Sequence, residues 1–295
     1  MFFTVVIPTC HRNDDLAKCL ESLAPGMQIK GFLAASNLQQ SSEQHIGDAS
    51  FLYEVVVSDD GRDSTAEAMI KARFPWARWV LGPRRGPAAN RNNGAKYSQG
   101  EWLVFFDDDC VPDSKVLISY FTSANQCSES SVLEGRIFVD RPRLRMDEVA
   151  PLNESGGKLW SCNFSVNRKI FFSVGGFNES FPFACLEDTD MRYKLEASGA
   201  DLVFVADAAV MHPWRQFRLS ILRYCKIRRV SYSILVSRWP DHHKPLGKRL
   251  VIIVKYIQLF IEDSIRFRMR GAAGGIQKLL GDILFLSFYS NLPRL

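Results

Sequence analysis

The first 110 residues alternate short apolar runs with segments of helical spacing. Phe3-Thr4-Val5-Val6-Ile7 is a β-rich run ended by Pro8. After it, Leu16, Cys19, Leu20 and Leu23 recur at the spacing of one helix face, with Asp14 or Asp15 placed to cap that helix. Glu54-Val55-Val56-Val57 predicts a second buried strand and Thr65 to Arg73 a second helix. Trp79-Val80-Leu81 predicts a third strand, and Pro87 to Tyr97 a helix stopped near Gly100. Trp102-Leu103-Val104-Phe105-Phe106 is apolar throughout, as a central parallel strand should be. The rhythm predicts an α/β fold with a mostly parallel sheet flanked by helices. Two stretches break it. Pro25 to Ser50 is long and rich in Gln and Ser, which predicts a mobile insertion. From Trp214 onward strand signals fade, and the chain reads as helices interrupted near Pro240–Pro245 and Gly271–Gly275.

Composition changes this picture little. The 295 residues are 46% hydrophobic and 23% charged, as in an ordinary globular protein and unlike a mostly disordered chain. No 18-residue stretch is free of charge, so no conventional transmembrane helix is readable. Met1-Phe2-Phe3-Thr4-Val5 lacks a basic leader and a cleavage site, so a first strand is expected there and not a signal peptide. The seven cysteines are scattered and form no CxxC pair, which fits a reducing compartment; a cytoplasmic location is expected.

Charge changes it more. Residues 1–214 hold 21 Lys/Arg against 28 Asp/Glu, a balance of −7, whereas 215–295 hold 16 against 4, a balance of +12. The pattern predicts an acidic body over 1–214 and a basic helical extension over 215–295.

Four clusters carry candidate chemistry. Asp107-Asp108-Asp109 directly follows the fourth strand, where open α/β sheets bind ligands, and alternation would put Asp107 and Asp109 on one face. Adjacent carboxylates suit Mg²⁺ or Mn²⁺, which commonly bridge to phosphates. Ser58-Asp59-Asp60-Gly61 ends the second strand with an Asp able to accept from a ribose or a base, or merely to cap the following helix. Leu186-Glu187-Asp188-Thr189-Asp190 sets carboxylates near a helix N-terminus, a place that suits them electrostatically and also suits a general base. His212, in Met211-His212-Pro213-Trp214, is a structural histidine or an imidazole completing a metal site begun by the aspartates. No G-x-G-x-x-G follows the first strand and no P-loop motif occurs, so dinucleotide and P-loop readings lose their main support.

Taken together, the chain resembles the family 2 glycosyltransferases, an inverting group with the GT-A fold. The matching stretches, in order, are Val6-Ile7-Pro8-Thr9-Cys10-His11-Arg12, Val57-Ser58-Asp59-Asp60-Gly61, Arg85 through Gly94, Phe106-Asp107-Asp108-Asp109, Gly175-Gly176-Phe177-Asn178-Glu179 and Glu187-Asp188-Thr189-Asp190. The resemblance implies that Pro8, Thr9, Arg12, Asp60, Arg91, Asp107 and Asp108 contact a nucleotide-diphosphate sugar, with a UDP-sugar foremost. It implies that Asp109, with Asp107 and His212, holds Mn²⁺ or Mg²⁺ as the family's DxD element does, and that Asp188, or Glu187 beside it, takes the acceptor's proton. The implied acceptor is a glycan, lipid-linked or other hydroxyl, in cell-surface polysaccharide synthesis. Cys10-His11 departs from the aromatic and Asn often found there.

The tail interleaves Arg215, Arg218, Arg223, Lys226, Arg228 and Arg229 with apolar residues, and Leu250 to Ile261 is apolar but too short to span a bilayer. This predicts a peripheral contact with an anionic membrane, on the inner face of the cell membrane, or packing on the body or a second subunit. Two rival functions stand beside glycosyl transfer: a catalytically inactive sugar-nucleotide-binding scaffold, against which the retained acid clusters speak, and a nucleotidyltransferase, which would carry a Gly-rich phosphate loop after the first strand. Nucleic acid is not an expected partner, because the body is acidic and no recognition motif is present.

Overall fold

The computed structural model describes residues 2–28, 52–63, 65–242 and 249–288. The insertion expected over Pro25–Ser50 lies, from residue 29, outside them. The chain divides into two compact units, one formed by Met1–Phe138 with Pro151–His212 and the other by Val139–Ala150 with Pro213–Leu295.

The first unit is an α/β layer structure built on an eight-stranded sheet. Its strands are β1 (Phe3–Thr9), β2 (Tyr53–Asp59), β3 (Ala77–Leu81), β4 (Trp102–Phe106), β5 (Val111–Pro112), β6 (Val132–Phe138), β8 (Asn163–Asn167) and β9 (Leu202–Met211), in the order β3-β2-β1-β4-β8-β6-β9-β5. The remaining strands, β7 (Glu148–Val149) and β10 (Arg215–Gln216), belong to the second unit. β1 pairs in parallel with β2 and β4, β2 with β3, and β6 with β9. β8 is antiparallel to both β4 and β6, and β5 is antiparallel to β9. Two reversals across β8 restore the direction, so β1–β4, β6 and β9 all point their carboxyl ends to the same edge.

The helices of this unit are α1 (Asn13–Ser22), α2 (Glu67–Arg73), α3 (Pro87–Lys96), α4 (Val116–Gln126), α5 (Arg168–Ser173) and α6 (Glu187–Ala197). Asp14 and Asp15 lie in the first turn of α1, where the helix dipole favours them, but no side chain caps that helix. The core stacks the apolar strand residues, such as Val5, Ile7, Val55, Val57 and Val104, against Leu16, Leu20, Leu117 and Tyr120 from the helices. On the other side of β4, Phe105, Phe164, Phe171 and Phe177 form an aromatic cluster with ring centroids 4.9–6.2 Å apart.

α3 departs from the amphipathic pattern, because Ala88, Ala89, Asn90, Arg91, Asn92, Gly94 and Ala95 are all buried. Small residues let it lie close to the sheet: a Cβ on Gly94 would stand 2.6 Å from Val6 Cγ1. That closeness puts polar Asn90, Arg91 and Asn92 in the interior, where each must find a partner.

In the second unit β7 and β10 pair antiparallel, and three helices follow: α7 (Ile221–Arg238), α8 (Arg249–Arg266) and α9 (Ala272–Phe288). Ser220 caps α7 by accepting from the Arg223 N–H at 3.4 Å. Buried Asp282 gathers Tyr224 Oη at 2.8 Å, Lys278 Nζ at 3.0 Å and Arg228 Nη1, tying α7 to α9. Arg143 Nη1 bonds Asp263 of α8 at 2.7 Å. Among the described residues, no helix is long and apolar enough to cross a membrane.

Candidate active site

Pro8, Thr9, Asp60, Asp107-Asp108-Asp109 and His212 fall at or just beyond the common carboxyl edge, whereas Arg91 lies on α3 and Glu187 and Asp188 begin α6. Pro8 and Thr9 end β1 beside Ser58 and Asp59 of β2, and the Asp60 N–H donates to the Thr9 carbonyl at 2.9 Å. Asp107-Asp108-Asp109 leave β4, and His212 leaves β9, its N–H bonded to the Phe138 carbonyl at the end of β6. The alternation expected for the three aspartates does not hold. The strand stops at Phe106, and the Cys110 N–H donates to the Asp107 carbonyl at 3.1 Å, so the acids occupy a turn and diverge.

Their partners differ accordingly. Asp107 Oδ1 accepts from Arg91 Nη2 at 2.6 Å. Asp108 accepts from Thr9 Oγ1 at 2.8 Å and from Arg12 Nη1 at 2.9 Å. Asp109 lies 3.6 Å from Arg12 Nη1 and 3.5 Å from His212 Nε2. Thr9, Arg12, Asp108, Asp109 and His212 therefore form one contiguous set, with Arg12 its half-exposed member.

Arg91 heads a second set. Its guanidinium bridges Asp107 and Glu187, the latter through Nη1 at 3.0 Å, and lies over the Phe177 ring at 5.5 Å. Burial disfavours the charge on Arg91, but Asp107 and Glu187 outweigh it and hold its pKa above the ordinary value. Asp107 is likewise opposed by burial, yet the charge and hydrogen bond of Arg91 hold its carboxyl below the usual range. Glu187 is pushed up by burial, with Arg91 restraining the rise.

Asp188 stands next in the chain, 9% exposed, its Oδ1 accepting from the Thr189 N–H at 2.8 Å. Burial, reinforced by the charge of Glu187, lifts its pKa to about 7, against the pull of Arg91. The residue before the pair, Leu186, sits in the left-handed region at φ 69°, an uncommon conformation for a branched side chain and one that clusters at functional sites. Asp108 is also raised by burial, to about 6, although Arg12 and Thr9 stabilise its ionised form.

Asp60 belongs to a separate part of the edge, accepting from the backbone N–H of Arg84 at 2.7 Å. Its neighbour Asp59 is structural: it accepts from the N–H groups of Gly61 and Ala66 and from Trp79 Nε1, fixing the turn after β2.

Three roles were not readable from the sequence pattern, two of them for residues it had named. The Gly175–Glu179 stretch acts as a clamp on α3. Asn92 Nδ2 donates to the Phe177 carbonyl at 2.8 Å and to Glu179 at 3.0 Å, while its Oδ1 accepts from the Phe177 N–H at 2.8 Å. Gly176, at φ 61°, has no room for a Cβ, which would meet Asn92 Oδ1 at 2.7 Å. Cys110 adds a thiol to the Asp109–His212 neighbourhood, the three ligand atoms lying within 4.8 Å of one another. Finally, Arg91 is a buried ion-pair centre; the run of Ala, Asn and Gly around it was the available sign of a buried helix.

The donor set bears on whether a divalent cation fits. A buried carboxylate and an imidazole, Asp109 and His212, are suitable ligands for Mn²⁺ or Mg²⁺. The Cys110 thiol is a softer group, kept protonated by burial and turned toward the Cys162 carbonyl at 3.7 Å, so it adds little to such a set.

A sheet with one carboxyl edge lined by acids, and a buried carboxylate raised to about 7, make this edge the candidate site. Residues 4–126 match the family described as Glycosyl transferase family 2. The chain is 26% identical over 208 residues to an uncharacterized glycosyltransferase of Haemophilus influenzae, covering 65% of this chain and 61% of that protein. It is 24% identical over 142 residues to the poly(ribitol-phosphate) beta-glucosyltransferase of Bacillus spizizenii, covering 46% of this chain and 19% of that enzyme. Its matches thus span less than two thirds of either relative's length. Among solved structures it is similar to GalNAc-T7 with UDP, GalNAc and Mn²⁺, at 16% identity and TM-score 0.60, over 96% of this chain and 57% of that one. It is also similar to residues 1–349 of S. aureus TarS in complex with UDP, at 16% identity and TM-score 0.53, over 98% and 91% of the two chains. Residues 4–126 thus carry the likeness to glycosyltransferase family 2, and the likeness to these solved structures shows the GT-A fold.

Proposed function

We propose that the chain transfers a sugar from a nucleotide-diphosphate sugar to a hydroxyl acceptor with inversion at the anomeric carbon. The observation that carries this reading is Asp188, a buried carboxylate whose pKa of about 7 matches the task of a general base at neutral pH. The acceptor oxygen attacks the anomeric carbon from the face opposite the diphosphate. As that bond forms, the bond from the anomeric carbon to the diphosphate oxygen breaks, and the acceptor proton passes to Asp188.

Glu187 is the weaker choice for the base, since one of its oxygens is committed to Arg91. Arg91 acts as a positioning residue, holding Asp107 and Glu187 at fixed distance on either side. Thr9 and Arg12 hold Asp108 in place, and the exposed side of the Arg12 guanidinium is assigned to an anionic donor. Asp60, at the end of β2, is assigned to the ribose or base.

Asp109 and His212 would hold the Mn²⁺ or Mg²⁺, which when bound supplies neutralisation of charge on the departing diphosphate. Complexes of GalNAc-T7 with UDP and Mn²⁺ and of TarS with UDP and UDP-GlcNAc support a UDP-sugar as the donor class. The Bacillus relative supports a cell-surface polymer as acceptor. We assign catalysis to 1–214 and a separate role to 215–295.

A screen of nucleotide sugars for slow donor hydrolysis, with Mn²⁺ or Mg²⁺, tests the reading without knowledge of the acceptor. Release of a nucleoside diphosphate that is lost in Asp109→Ala is expected. Equal release by Asp109→Ala and the unaltered chain would refute the site assignment.

A further inference from the structure

The second unit contains an apolar surface that its own packing does not use. Within α8 the residues turned inward include Tyr256, Phe260 and Asp263, which line a cavity of about 360 Å³ with Trp214, Met146 and Leu279. The opposite side is also apolar. Val254, Ile257, Ile261 and Ile265 recur at intervals of three and four residues, so they form a single stripe along the helix. Their relative exposures are 55%, 39%, 53% and 76%. A surface of that kind marks an interaction site more often than it marks ordinary surface chemistry.

Its setting is strongly basic. Exposed Gln258 and Glu262 border the stripe on one side, Lys255 and Arg266 lie exposed beyond them, and exposed Arg268, Met269 and Arg270 follow directly after the helix. Across 215–295 basic residues outnumber acidic ones by 16 to 4. A second copy of the chain would bring the same positive charge against this face. An anionic partner is favoured instead, and one that accepts both isoleucine side chains and guanidinium groups.

We propose that the outward face of α8 docks on an anionic lipid bilayer, lying in the interface with its isoleucines among the acyl chains and its basic residues at the headgroups. The helix lies on the membrane and does not cross it, in keeping with its length and apolarity. This inference stands apart from the sugar-transfer reading and survives if that reading fails.

Flotation of the full chain with vesicles tests it. Phosphatidylcholine vesicles containing about a third phosphatidylglycerol should carry the protein at low salt, and pure phosphatidylcholine should carry at least tenfold less. High salt should release most of it, because screening shortens the reach of the basic residues. Ile261→Glu with Ile265→Glu should cut flotation at least tenfold, while circular dichroism, melting temperature and donor hydrolysis stay as in the unaltered chain. Arg266→Gln with Arg268→Gln and Arg270→Gln should flatten the salt dependence. Failure to float with anionic vesicles at low salt would overturn the proposal. So would undiminished flotation of the double isoleucine variant, or a dimer in light scattering that this variant dissolves.

Discussion

Arg91 and Glu187 form an ion pair at 3.0 Å in which each side chain is only 4% exposed. The same guanidinium binds Asp107 at 2.6 Å, so one cation compensates two carboxylates from different elements. Helix α3, the turn after β4 and helix α6 therefore meet at a single planar group. A lysine has one point charge and no fork, so it cannot serve both acids in the same way.

Removing that cation leaves two acids under-compensated. Arg91→Met should destabilise the fold by about 3–5 kcal/mol, the scale for breaking a buried ion pair by deleting one partner. Urea unfolding monitored by tryptophan fluorescence checks this. Arg91→Lys should recover only part of the loss.

Asp188 makes stability depend on pH in a definite direction. Its carboxyl titrates at about 7 when folded, against 3.8 ordinarily, so between those values the native state keeps a proton that the unfolded state has released. Its stabilising contribution is present below pH 4 and is lost as pH rises through 7. Asp188→Asn cannot ionise and escapes that loss. With metal removed, the variant should be more stable than the unaltered chain at pH 8 by on the order of 2–4 kcal/mol, and the gap should close at pH 4. Denaturant melts at the two pH values measure it. The same variant should lower transfer by about 10²–10⁴-fold, the usual loss for a general base.

Metal binding should depend on Asp109 and His212 together. Titration calorimetry with Mn²⁺ is expected to give at least tenfold weaker binding for Asp109→Asn and for His212→Ala. Cys110→Ser should bind Mn²⁺ nearly as well as the unaltered chain, since the thiol already donates to the Cys162 carbonyl.

Asn92 holds the Gly175–Glu179 clamp to α3 through three hydrogen bonds. Asn92→Ala leaves the buried Phe177 N–H and carbonyl without that partner, and should cost about 1–3 kcal/mol. For a chain of this size that is a fall in melting temperature of about 2–4 °C for each kcal/mol, measurable by calorimetry.

Much of the first unit is legible from local pattern. Val55-Val56-Val57 and Leu103-Val104-Phe105 are buried on both faces and read as central strands because nothing polar interrupts them. The boundaries were shorter in the sequence than in the fold: β2 runs Tyr53–Asp59, since Tyr53 gains a partner in Leu23, distant in the chain, and Asp59 one in Ala66 at the start of the next helix. The reversal of β8 was not legible, because Asn163-Phe164-Ser165-Val166-Asn167 alternates like a half-exposed strand yet is wholly buried. Asn163 satisfies itself there on Arg136 and Ala208 carbonyls and on the Tyr120 hydroxyl, contacts that only the folded sheet creates. Within the site, the types and order of the acids were visible, but their partners were not. The turn at Asp107 and the burial of Arg91 decide which acid holds which cation, and the latter depends on how closely α3 approaches the sheet.

The central claim is one-step displacement at the anomeric carbon assisted by Asp188. Proton NMR at early time points can follow the configuration of sugar released when water replaces the acceptor of an α-linked nucleotide sugar. Inversion with Asp188 as base predicts that the β-anomer appears first and then mutarotates, with the rate falling below pH 7 and nearly lost in Asp188→Asn. First appearance of the α-anomer, or an Asp188→Asn variant as fast as the unaltered chain, would contradict it.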